Sequence, residues 1–141
     1  MISPALQLIV AKQSIRKGLF RQIILTAPDI DEETFQNLAV AIASDDERLT
    51  MYSNYKDRAL LLSKIFHLYR RAGASIVIVP GMETIDASKV DTSLVRHSYF
   101  GSSRTVLADV SSLIVDGKPA KKRFGMIEKQ KEGKTYYFFR P

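Results

Sequence analysis

Apolar and polar positions along the chain fall into short blocks whose period switches between that of a helix and that of a strand. ALQLIVAKQSIRK (5–17) has helical spacing and runs into Gly18, a helix-stop position. FRQIILTAP (20–28) is a β-rich run closed by proline, and its unbroken apolar core suits a strand covered on both faces, as in a parallel sheet. DEETFQNLAVAIAS (31–44) opens with acids, which suit the positive end of a helix, and continues with Phe35, Leu38, Ala39 and Ile42 at helical spacing. RLTMYSNY (48–55) reads as a second strand, and DRALLLSKIFHLYRR (57–71) as a helix with basic residues at its end, followed closely by Gly73.

Within ASIVIVPGMETIDASKV the strand core is placed at METIDAS (82–88), with IVIV (76–79) as a further strand candidate ahead of it. SSRTVLADVSSLIV (102–115) is a final helix. RFGMIEKQ and TYYFFRP, on either side of KEGK, form a hairpin. Alternating strands and helices predict an α/β fold with a short, mostly parallel sheet and right-handed crossovers, flanked by helices. Ligands of such sheets sit beyond the carboxyl ends of the strands, so the residues after each strand carry the functional interest. These are Asp29 and Asp31, then Asp57, then Asp91 to His97.

A chain of 141 residues with 45% apolar and 26% charged positions has the size and balance of one globular domain. It has no cysteine, which excludes disulfides, thiolate zinc sites and cysteine nucleophiles. No apolar run approaches the ~18 residues of a membrane span, and the start lacks the features of a signal peptide. The default localisation is cytoplasmic. The net charge of +6 is local: residues 117–141 hold eight Lys/Arg against two Asp/Glu, whereas residues 1–116 hold thirteen of each. The chain therefore divides into a neutral body, 1–116, and a basic, aromatic C-terminal extension, 117–141.

A histidine base works best when a carboxylate receives the proton of its second ring nitrogen. Adjacent strands lie only ~5 Å apart, so an Asp after one strand and a His after the next can meet above the sheet. Asp57 and His97 fit that arrangement. Asp57 equally suits a helix cap, and a lone loop histidine such as His97 equally suits a surface or hydrogen-bonding role. His67 lies ten residues into the helix that Asp57 starts, roughly 15 Å along its axis, too far to pair with it. Asp31, with Thr34 three residues on, reads as a cap of its own helix, and Asp29 remains a rival acid. Two distant histidines and scattered acids form no ligand cluster, so no cofactor or metal is implied.

TAPDIDEETF, LTMYSNYKDRALLLSKIFHLYRRAG, ETIDAS and VRHSYF, in this order and spacing, resemble the C-terminal part of a bacterial alpha/beta-hydrolase family. Its members are esterase/lipase-like proteins of unknown substrate, and the resemblance spans roughly residues 19 to 115. It implies a Ser-Asp-His hydrolase with Asp57 at the acid position and His97 at the base position. In this fold the serine comes first, on a G-x-S-x-G-like turn between strand and helix. None of the serines here has that context. Ser3 precedes a proline, Ser75 follows a helix and lacks a second glycine, and Ser98 has no strained turn. The expectation is therefore the back half of a hydrolase, inactive alone.

Its partners would be the missing N-terminal half, or a second copy joined through the exposed edge of the first strand. The substrate of the intact protein would be a small ester or amide. An alternative function rests on KPAKKRFGMIEKQKEGKTYYFFRP, whose lysines, arginines and rings could bind nucleic acid or an anionic surface. The competing account is a solvated hairpin covering an apolar patch of the body, with alternate rings buried as packing.

Overall fold

The computed structural model describes residues 20–28, 30–43, 48–55, 72–90 and 104–140. They form one five-stranded sheet of order β1-β2-β3-β5-β4. Strands β1 (Gln22–Thr26), β2 (Arg48–Ser53) and β3 (Met82–Asp86) are parallel neighbours, and β5 (Lys134–Phe139) lies parallel to β3. Only β4 (Met126–Lys131) is antiparallel, as the hairpin partner of β5. The anticipated α/β architecture with a mostly parallel sheet is thus observed.

Alternation along the strands sorts side chains onto two faces. Leu49, Met51 and Met82 meet helix α1 (Glu32–Ile42), which contributes Phe35, Ala39 and Ile42. Tyr52 and Ile85 face the other way, onto helix α2 (Arg104–Asp116) through Val106, with Tyr137 and Phe139 of β5 completing that side. Helices on both faces explain why the strands read as nearly continuous apolar runs: five of the six residues of β2 are buried. Helix α1 begins where its sequence indicates. The Asp31 carboxylate accepts hydrogen bonds from the Thr34 amide at 3.0 Å and from its hydroxyl at 3.1 Å, the cap expected of that residue.

Two elements differ from expectation. IVIV forms no strand. Residues 76–79 instead run across the α1 face, with Val77 and Val79 in that core, and the Thr84 hydroxyl donates to the Val77 carbonyl at 2.5 Å. The chain reverses at Pro80–Gly81, where Gly81 has φ 81°, and returns as β3. Four apolar residues in a row can cover a sheet as well as join it, and periodicity does not distinguish the two.

The hairpin is the second difference. It does not lie over an apolar patch of the body but extends the sheet, β5 pairing with β3 through Ile85↔Tyr137 and Asp86↔Phe138. Its two-residue turn, Glu132–Gly133, has φ of 53° and 74°, as a type I′ turn requires for the twist of a hairpin.

Candidate functional site

The carboxyl ends of β1, β2 and β3 form one rim, joined by a lattice of backbone hydrogen bonds. The Ala27 amide donates to Tyr52 O at 2.8 Å, and the Ala87 amide to Ser53 O at 2.8 Å. Gly73 bridges the loops after β1 and β2. Its amide donates to Pro28 O at 2.9 Å, and its carbonyl accepts from the Asn54 amide at 2.8 Å. A Cβ at Gly73 would lie 2.4 Å from the Ala27 carbonyl carbon, so no other residue fits there without moving backbone. Ala27 itself has φ 41°, a conformation that a non-glycine residue holds only when its surroundings impose it. Between β2 and β3 a side chain adds to the backbone link: the Tyr55 amide donates to Ser88 Oγ at 3.0 Å, and the Ser88 amide is itself held by Asp86 Oδ1 at 2.9 Å.

Asp57 and His97 both lie outside the described residues, as do Asp29, His67, Ser3 and Ser98. Their flanks are described. Asp57 lies two residues beyond Tyr55, and the 56–71 segment is bracketed by the hydrogen-bonded pair Asn54 and Gly73 at the rim. His97 lies in 91–103, which follows β3 at the same rim and leads into α2. The far end of α2 is at the opposite rim, because the Arg48 guanidinium at the start of β2 donates to Gly117 O. Segment 91–103 is therefore also bracketed at the carboxyl rim. Ser75 is buried and donates to Glu32 Oε2 at 2.8 Å, a structural bond consistent with its lack of an elbow.

Beneath the rim is a buried polar cluster that sequence reading missed. The Tyr52 hydroxyl donates to Asp109 Oδ2 at 2.5 Å. Arg123, whose side chain is fully buried, sits with Nε 3.0 Å from Asp109 Oδ1 and Nη2 3.5 Å from Glu83 Oε2. Glu83 in turn accepts from the Ala120 amide at 2.9 Å and lies 3.5 Å from the Thr50 hydroxyl. Arg123 is held by charge and proximity, since none of its guanidinium nitrogens is aligned for a hydrogen bond. Burial raises the Asp109 carboxyl above its ordinary range, against the opposing pull of the Tyr52 hydrogen bond and the Arg123 charge. Burial, then the Asp109 charge, pushes the Tyr52 phenol far above its ordinary value of 10.0. One signal was legible: Asp109 sits between Val106 and Leu113 on the buried stripe of an apolar helix, where an acid needs a partner. Nothing in the sequence points to Arg123 as that partner.

The basic extension has its own pattern. Phe139 is buried, and Tyr137 packs against the α2-side core. On the opposite face the Phe138 ring lies under two ammonium groups, Lys89 at 5.1 Å and Lys129 at 6.0 Å. Alternate rings are thus used in packing, Phe139 fully and Tyr137 in part, which withdraws Phe139 from any stacked base. Among the described residues no group of three or more His, Cys, Asp or Glu is placed to hold a metal ion.

A family model described as "Alpha/beta hydrolase of unknown function (DUF900)" matches residues 1–116. The chain belongs to this family. No curated protein and no solved structure matches it. The family match ends at the last residue of α2, so Arg123 and the hairpin lie beyond it, yet Arg123 ion-pairs with Glu83 and Asp109 inside it.

Proposed function

We propose that this alpha/beta hydrolase carries the acid and base of a serine hydrolase of the esterase/lipase type, with Asp57 orienting and charge-stabilising His97. The observation that carries the reading is the pairing of β2 with β3. These neighbours are parallel, with Ser53 opposite Asp86, so the segments bearing Asp57 and His97 leave adjacent strand ends on one rim. That rim is where open parallel sheets place their ligands. The reaction is acyl transfer to water. A serine oxygen attacks an ester or amide carbonyl, His97 accepts its proton and returns it to the leaving group, and Asp57 holds the imidazole in the required tautomer. No serine in residues 1–141 has the elbow context, so the nucleophile and its oxyanion amides are assigned to polypeptide outside this sequence, the N-terminal half of the fold.

The test uses a serine-directed phosphonate and an ester substrate, applied to this chain alone and to this chain mixed with a candidate N-terminal half. The expected result is no labelling alone, and labelling of the partner's serine with turnover in the complex. His97→Ala then abolishes turnover, and Asp57→Asn lowers kcat by roughly 10²- to 10⁴-fold. An active complex indifferent to both changes removes both residues from the site.

A further inference from the structure

A groove of about 630 Å³ opens between the first half of α2 and the hairpin, near the carboxyl rim. One wall is Arg104, Thr105 and Ala108. The other is Phe124, Phe139 and Arg140, from beyond the family-matched region. Asp109 also lines it, but its charge is answered by Arg123 at 3.0 Å and by the Tyr52 hydroxyl. The field in the groove is accordingly set by Arg104 and Arg140. Both are exposed, and neither has an ion-pair partner among the described residues. Phe124, at the mouth of the groove, is a large ring left 100% exposed.

We propose that this groove binds a small amphipathic carboxylate, its head between Arg104 and Arg140 and its apolar body against Phe124. The guanidinium fork matches a carboxylate geometrically, and its pairing is stronger than that of a neutral donor. A mostly apolar groove with a few convergent polar groups is the usual form of a small-molecule site. The proposal is independent of the serine-hydrolase reading, because it concerns binding and uses neither Asp57 nor His97.

The experiment is an NMR titration of the isotope-labelled chain with 4-phenylbutyrate, 4-phenylbutan-1-ol and acetate. The expected result is saturable shifts at the Ala108 and Gly125 amides, with the phenyl carboxylate binding at least about fivefold tighter than either the alcohol or acetate. In the Arg104→Gln/Arg140→Gln double variant the acid and the alcohol become equal. In Phe124→Ser both weaken. Equal affinity of acid and alcohol for the unaltered protein, shifts centred elsewhere, or no saturable shift overturns the proposal without any variant having to fold. Because the readout is binding, a failed proposal leaves the hydrolase assignment standing.

Discussion

Tyr52 shows how one side chain couples a strand, a helix and the hairpin. Its ring is in the α2-side core, while its hydroxyl donates at 2.5 Å to an acid that also faces the hairpin's arginine. Tyr52→Phe keeps the ring and removes the donor, so it is expected to cost about 1–3 kcal/mol at neutral pH. The folded phenol is held far above the unfolded value of 10.0. Its contribution is therefore fully present below pH 10 and is lost as pH rises, because only the unfolded chain then releases the proton. Urea denaturation across the alkaline range should show the gap between wild type and Tyr52→Phe closing above about pH 10. A gap constant with pH would mean that the phenol ionises as readily in the folded protein as in the unfolded one.

Among the elements, the hairpin is the one whose role changes most between sequence and structure. Composition marks residues 117–141 as a basic tail, yet β5 is a neighbour of β3 within the sheet. Arg123 has a fully buried side chain against Asp109, whose side chain is only 1% exposed. Removing one member of such a pair leaves the other charged and buried, so Arg123→Met alone is expected to destabilise by about 3–5 kcal/mol. Replacing both, as Arg123→Met with Asp109→Leu, should cost far less than the sum of the single changes. A double-mutant cycle by chemical denaturation checks this. Additive losses would mean that the ion pair does not link hairpin and body.

For the whole molecule the contrast lies between the two sheet edges. The outer edge, β4, presents Glu128, Lys129 and Lys131, all exposed, the charged pattern that discourages pairing with another chain. At the other edge β1 is QIILT, and among the described residues no strand pairs with its outer side. Exposed Leu107 and Ile114 lie seven residues apart on α2, and Ile114 shares a groove with Gln22 and Ile24 of β1. The expected outcome is association through this edge, with a second copy or with the N-terminal half of the fold. Thr26→Lys puts a charge on the exposed end of β1 and should lower the mass seen by light scattering. A concentration-independent monomer in the unaltered chain, with a sharp two-state melt, would sink this expectation.

What the sequence determined by itself was local. Periodicity located α1, α2 and the strands, the Asp31–Thr34 spacing located a helix cap, and KEGK located the hairpin turn, because each depends on neighbours within about four residues in the chain. The same reading put Asp57 and His97 after successive strands, and it could go no further than their order. Tertiary structure decided that β2 and β3 are adjacent, that IVIV covers the sheet instead of joining it, and that the basic tail contributes two strands to that sheet and a buried arginine. Arg123 is fourteen residues from Asp109 and forty from Glu83, and a charge among surface-like lysines carries no mark of the partners that folding brings to it. Contacts across such separations depend on how whole elements pack, and that packing is set by the complete core, not by any one segment.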